Sequence, residues 1–405
     1  MTASVVLGLG GTLDYECTWS SAVLEDLADQ HRIRPSELTG PDVIASERDL
    51  VRSILSFVAT GTGGERFVTD SQIIEGLAAR LDTRITVGGT CVRAALALDA
   101  LGVPSTVHLV SIDDHVRRLL PAGVSYICSA DRDTTDPHLI VQFPEGARIK
   151  AGDVDLRAPH ANRLIYVHDP ANRDMALSDD LPAALRTAEL FLVSGFNSMQ
   201  DAAALDARLD QLAGYLHDLP AEALVVYEDA GFHVPAFSGR VRERLAGLVD
   251  VYSMNEDEMQ GHLGRTVDLT DPDSVAAALR ELRGVVTART LVVHTARWAA
   301  AVGARAGAYR AALRGGVAAA ATRYLHGDGF TEADYSAVRD GPVHTIGAVI
   351  ADAIEARLPG GACCVPGLDA RTDTPTIIGL GDTFVGGFLA ALIRDRAATP
   401  PCGPA

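Results

Sequence analysis

Lysine is almost missing from this chain. Lys150 is the single lysine in 405 residues, and every other one of its 35 basic residues is arginine. A Walker-type phosphate loop needs its own lysine, and no G-x-x-x-x-G-K-[ST] string occurs, so that mode of nucleotide binding is excluded. Positive charge is scarce overall: 53 acidic residues bring the formal net charge to −18. That balance argues against nucleic acid or an anionic membrane as the main partner. A nucleotide bound to so acidic a chain needs locally placed arginines or a divalent cation beside its phosphates. The six cysteines, Cys17, Cys91, Cys128, Cys363, Cys364 and Cys402, include no C-x-x-C pair. Buried free thiols are expected, not a disulfide framework. No apolar run is long enough to span a bilayer. The opening MTASVVLGLGG has no positive n-region and reads as a first strand, so a cytoplasmic location is expected. Internal repeats are also absent.

What is present is an ordinary globular composition, 47% hydrophobic and 22% charged. The length suits one large α/β domain with a smaller companion. Strand and helix patterns alternate through most of the chain. Val5–Leu9, Ile85–Val87, Val107–Val110, Leu190–Gly195, Ala223–Tyr227, Val249–Met254, Thr290–Val293 and Gly361–Val365 read as strands. Trp19–Gln30, Asp42–Thr60, Cys91–Leu101, Asp201–Leu216 and His344–Arg357 read as helices. The expected fold class is α/β, a doubly wound and mainly parallel sheet flanked by helices. Tyr126–Ala130 and His138–Phe143 follow one another without a helix between, which suggests a small sheet apart from the parallel core.

The most informative stretch is Thr376–Leu392, TIIGLGDTFVGGFLAAL. Ile377 and Ile378 suit a buried strand end, Gly379–Gly381 a tight turn, and Phe384–Leu392 an apolar helix. Such a turn aims backbone N–H groups and the positive end of a helix dipole at one point. Asp382 stands where an N-cap would stand. On spacing alone it is a cap, or else a base that takes a proton from an attacking hydroxyl.

Other residues recur at strand ends. Asp14 follows the turn Gly10-Gly11-Thr12; it is an ordinary turn residue or a ligand contact at the carboxyl edge of the sheet. Glu65 lies among small residues in Gly61–Phe67, with Arg66 as a ready partner in a purely structural loop. Gly88-Gly89 precedes a helix. Ala161–Ile165 (ANRLI) offers Arg163 as a phosphate contact or a structural ion pair. Asn197 follows the strand ending at Gly195. Glu228 and Asp229 end another strand, where a carboxylate pair can hold Mg²⁺ through water. Asn255–Glu258 (NEDE) has the spacing of a capping box. His294-Thr295 ends a strand, and Trp298 lines an adenine pocket or packs in the core. The loop Pro366–Pro375 is placed to wrap a base, and the tail from Ala397 is expected to fray.

Taken together and in order, GLGD, NEDE, ANRLI and GGERF resemble the ADP-dependent glucokinases and phosphofructokinases, a branch of the ribokinase-like sugar kinases. The resemblance covers nearly the whole chain. It implies a ribokinase-like fold with a smaller, discontinuous β-rich lid, in segments of about residues 12–70 and 125–170. It implies Asp382 as catalytic base, with the N–H groups around Gly379, Leu380 and Gly381 stabilising the transferred phosphoryl group. It places Asp14, Glu65, Gly88, Gly89 and Asn197 on the sugar, and Arg163, His294 and Thr295 on the nucleotide. Glu228 and Glu258 would act on Mg²⁺, and ADP would be the phosphoryl donor. Glu65 matches a glutamate of the glucokinase branch that the phosphofructokinase branch lacks, so an unphosphorylated sugar is the expected acceptor. The chain departs from the pattern at Gly10 and Thr12, where the family has asparagines, and at Val226, where it has the histidine of H-x-E.

Three readings follow. The first is an ADP-dependent kinase of a glucose-like sugar. The second keeps the fold but takes another hydroxylated acceptor, such as fructose 6-phosphate, a nucleoside or a sugar of secondary metabolism, with ATP as an alternative donor. The third is a non-catalytic sugar- or nucleotide-binding regulator, against which the retained Asp382 and Glu258 speak.

Overall fold

The computed structural model describes residues 4–40, 43–134, 136–373 and 375–398. Cys402 and most of the expected fraying tail lie outside them. Among the described residues, nine strands form one large sheet in the order β16-β15-β14-β13-β12-β11-β1-β5-β6. They are β1 (Val5–Leu7), β5 (Ser105–Leu109), β6 (Val124–Cys128), β11 (Leu190–Val193), β12 (Leu224–Glu228), β13 (Val251–Asn255), β14 (Thr290–His294), β15 (Trp298–Val302) and β16 (Ala362–Pro366). Neighbours from β6 to β14 pair in parallel, and β15 runs antiparallel to both β14 and β16.

A parallel sheet covered on both faces needs strands that are apolar on both sides. β11, Leu-Phe-Leu-Val, is buried throughout; Phe191 and Val193 enter one core while Leu190 and Leu192 enter the other. The strand order reverses at β1, which lies between β5 and β11. Ligands of open α/β sheets gather beyond the carboxyl ends of the strands at such a switch point. No helix among the described residues is long and apolar enough to cross a membrane.

Five strands form a second sheet in the order β3-β10-β7-β2-β4: β2 (Thr12–Cys17), β3 (Gly64–Phe67), β4 (Thr83–Gly88), β7 (His138–Phe143) and β10 (Asn162–Val167). A hairpin, β8 (Arg148–Ala151) and β9 (Val154–Arg157), stands beside it. These strands alternate. Leu139, Val141, Phe143, Leu164 and Tyr166 build a third core with Leu50, Ile54 and Val58 of the helix Glu47–Thr60. Each such side chain, fully buried, contributes roughly 1.5–3 kcal/mol. Registered partners on a sheet point the same way. Asp14 is registered with His138, Arg163 with Gln142, and Ile165 with Glu65, so one face carries them all, opposite the third core.

Three expectations need correction. Val124–Cys128 is not in the small sheet; it pairs in parallel with β5 at the edge of the large one. The short helix Asp114–Leu119 supplies the crossover that the sequence pattern hid. Ile377 and Ile378 are not a buried strand end. Ile377 is 52% exposed, and the Arg323 Nε–H donates to the Ile378 carbonyl at 2.8 Å, holding this segment as a loop. The second helix begins at Glu47, because the Ser46 hydroxyl accepts from Asp49 N and caps it there.

Candidate active site

The helix Leu380–Ala398 starts one residue after Gly379, whose φ is +70°. Gly379 O accepts from Thr383 N at 3.0 Å and from the Thr383 hydroxyl at 2.8 Å. Asp382 therefore lies inside the first turn, and the capping reading of it is overturned. Its Oδ1 instead accepts from the Thr90 hydroxyl at 2.8 Å, at the start of the helix Thr90–Ala100. Two helix N-termini thus converge, and with them two sets of unbonded N–H groups. Glycine makes the approach possible: a Cβ on Gly386 would lie 2.6 Å from the Ala97 Cβ, and one on Gly387 would overlap Gly315 and Ala319.

Asp14 reaches the helix Thr90–Ala100 through Arg93. It is 5% exposed, sits within β2, and accepts from the Thr12 hydroxyl at 2.8 Å and from Arg93 Nη2 at 2.9 Å. Two polar side chains support the turn Gly10–Thr12. The Thr12 hydroxyl supplies one polar support. Asn172 supplies the other, its amide bonding Gly11 O at 2.9 Å and Asp169 at 2.7 Å. A Cβ at Gly10 would overlap Asn172. His138 bonds Asp169 at 3.0 Å and lies 3.9 Å from Asp14. Burial by itself lowers the His138 pKa; Asp169, Asp14 and Glu65 outweigh it and hold it above the ordinary value. Gly88 is required beside them, since a Cβ there would overlap Asp14 and Thr12. Gly89 caps the Thr90 helix at φ +84°.

Glu65 crosses from the small sheet to His233, 3.4 Å away. His233 N in turn donates to Asn197 O at 3.2 Å, which brings Asn197 to this side. Arg66 is not the partner of the Glu65 carboxylate; it donates to the Glu65 carbonyl at 2.8 Å and covers the Phe57 ring. A cavity of about 740 Å³ is lined by Gly63, Glu65, Gln142, Arg163 and Ile377. Arg163 is therefore grouped with Glu65 and not with His294 and Thr295.

His294, Thr295, Leu380, Gly381 and Phe384 line a second cavity, of about 590 Å³, together with Asn255, His344 and residues 367–370 of the proline-rich loop. His294 stacks on Phe384 with ring centroids 4.4 Å apart, and its Nε2 bonds Glu228 at 2.9 Å. This histidine reaches Glu228 of β12 from β14, two strands away. Thr295 closes the β14–β15 turn, accepting from Trp298 N at 3.1 Å. Trp298 is fully buried and donates to Leu269 O, so it belongs to the core and not to the pocket.

Glu258 accepts from Asn255 N at 2.7 Å and from Asn255 Nδ2 at 2.9 Å. The capping box is real. Burial, reinforced by the charges of Glu228 and Asp229, pushes the Glu258 carboxyl up to about 8. The buried Glu228 Oε2 has no hydrogen-bond partner among the described residues. Among the described residues no three His, Cys, Asp or Glu side chains are gathered as a complete metal cage. An orphaned carboxylate oxygen beside a carboxyl that resists ionisation fits a cation held largely through water and nucleotide phosphates.

Arg93, Asn172, Asp169, His138, His233, Arg323 and Asp328 escaped sequence reasoning. Arg93 left one signal: a charged residue inside the small apolar run Cys91–Ala95, which has to be buried with a partner.

Comparison with known proteins gives the family and the fold. The conserved region of the ADP-specific phosphofructokinases and glucokinases matches residues 3–339, a span that ends before Gly379. An ADP-dependent glucokinase of Bos taurus is 24% identical over 226 residues, covering 53% of this chain and 44% of the bovine protein, so less than half of that relative is matched. The crystal structure of a phosphofructokinase from Pyrococcus horikoshii OT3 with AMP superposes with a TM-score of 0.82 at 14% identity, covering 98% of this chain and 99% of that one. An ADP-dependent kinase in complex with fructose 6-phosphate and ADPβS superposes with a TM-score of 0.73 at 13% identity, covering 98% and 95%.

Proposed function

The chain belongs to the ADP-specific phosphofructokinase/glucokinase family, and from that premise we propose that it transfers the β-phosphoryl group of ADP to a hydroxyl of a glucose-like sugar, releasing AMP. One observation carries this reading. Asp14, on the sugar side, and Asp382, at the head of the GLGD helix, lie against a single guanidinium, 2.9 and 4.0 Å from Arg93. A sugar held by Asp14, Glu65, Asn197 and the N–H groups after Gly88 and Gly89 then presents a hydroxyl to Asp382. The hydroxyl oxygen attacks the β-phosphorus, its proton passes to Asp382, and the bond to the α-phosphate oxygen breaks. N–H groups at Leu380 to Asp382 stabilise charge spread over the phosphoryl oxygens. His294, Thr295, Leu380 and Gly381 hold the nucleotide, while Arg163 stands with Glu65 on the acceptor side. Mg²⁺, held through Glu228 and Glu258, would neutralise the diphosphate. Closure of the small sheet excludes water, the competing acceptor.

The position of Glu65 supports an unphosphorylated acceptor, since a sugar phosphate needs a basic cluster there. Fructose 6-phosphate is the second reading, favoured by the place of Arg163 in the Glu65 cavity. The test is AMP release with Mg²⁺ and ADP or ATP, with glucose compared against fructose 6-phosphate. AMP release dependent on glucose supports the first reading, and release dependent on fructose 6-phosphate supports the second. ADP binding without turnover on any acceptor favours a binding regulator.

A further inference from the structure

Arg93 lies on the helix Thr90–Ala100 and is 3% exposed. Its Nη2 bonds Asp14 at 2.9 Å, its Nε lies 4.0 Å from Asp382, and its Nη1 lies 3.8 Å from Asp328. Asp328 is ion-paired with Arg323 and with Arg84 of β4, and Arg323 holds the Ile378 carbonyl. The guanidinium also packs under the turn itself: a Cβ on Gly379 would lie 2.6 Å from Arg93 Cδ. A buried arginine is stabilising only where its ion-pair geometry is good and its remaining N–H groups are hydrogen-bonded. Arg93 instead faces three carboxylates, from both sides of the transfer centre, and its Nη1 has no hydrogen bond among the described residues. Leaving a buried donor unsatisfied is unfavourable. The arrangement trades bonding to any one partner for contact with all of them.

We propose that Arg93 is a positioning residue that sets the sugar-holding carboxylate Asp14 and the base Asp382 in register through one shared cation. The inference rests on the function proposed above. Its mechanical content does not: removing the charge releases both ends of the site at once. Arg93 does not line the His294 cavity, so nucleotide binding stands apart from it.

The test compares wild type, Arg93→Met and Arg93→Lys. In the Met variant, kcat should fall about a hundredfold, the scale of a small misplacement of reacting groups. Sugar KM should rise about tenfold or more, and ADP KM should be unchanged. Lysine keeps a point charge without the fork, so it should recover sugar KM while kcat stays low. A Met variant with wild-type kcat overturns the proposal. So do an equal fall of kcat and an equal rise of sugar KM in Met and Lys, which mark a packing role. Should the Met variant fail to fold, the split between KM and kcat in the Lys variant decides. Wild type that releases no AMP contradicts the function and not this inference. Amide hydrogen exchange of the ligand-free Met variant then decides: faster exchange in both 12–17 and 379–384 upholds the coupling, and a change in only one segment, or in neither, overturns it.

Discussion

Glu258 gives a stability prediction that can be worked from the structure. Its carboxyl, ordinarily near 4.5, is moved to about 8 by burial and by the Glu228 and Asp229 charges. In the folded chain it keeps its proton through neutral pH; in the unfolded chain it does not. A group raised on folding stabilises the fold below its unfolded pKa, and that contribution is lost as pH rises through the folded value. The window therefore runs from about pH 4.5 to about pH 8. Integrating from pH 5 to pH 8.5 gives a loss on the order of 4 kcal/mol from this one residue. Glu258→Gln removes the titration and keeps the shape, at a cost of about 1 kcal/mol for one of the two Asn255 hydrogen bonds. The assay is urea denaturation of both proteins across that range, without divalent cations. The wild-type midpoint should fall relative to the variant as pH rises, and the variant should become the more stable protein at the alkaline end. Parallel curves would refute the reasoning, since Glu258 would then titrate alike in both states.

Three further outcomes follow from the same geometry. Gly379→Ala places a side chain at φ +70° against Arg93. It should cost about 1–2 kcal/mol of stability and about a hundredfold in kcat, read by melting and by initial rates; wild-type kcat would contradict the packing described. Glu65→Gln should raise glucose KM about tenfold or more with ADP KM unchanged, and an unaltered glucose KM would remove Glu65 from the sugar site. Leu164→Ala, in the core of the small sheet, should lower stability by about 2–5 kcal/mol while ADP affinity measured by calorimetry stays the same.

The alternation of apolar strands and amphipathic helices made the large sheet legible, because a twice-covered parallel strand such as β11 is apolar along its whole length. The GLGD and NEDE turns were legible because helix starts depend on neighbours in sequence. What escaped was set by distance along the chain. Asn172 supports a turn 161 residues away at Gly11, and His294 partners Glu228 from two strands across. Near Gly10 and Val226, where the chain departs from the family pattern, polar partners of Gly11 and Glu228 come from Asn172 and His294, which no local reading connects to them. Val124–Cys128 was misassigned because strand pattern says nothing about which sheet a strand joins. Asp382 was ambiguous for a related reason: caps and bases share a spacing, and only the position of Gly379 separates them.

The central claim is that Asp382 takes the proton from a sugar hydroxyl during transfer from ADP. The measurement is glucose-dependent AMP release by wild type and Asp382→Asn, with ADP binding to each followed by calorimetry. The predicted result is AMP release by wild type, a loss of turnover on the order of a thousandfold or more in the variant, and ADP affinity unchanged between them. Turnover near wild type in Asp382→Asn would contradict the account.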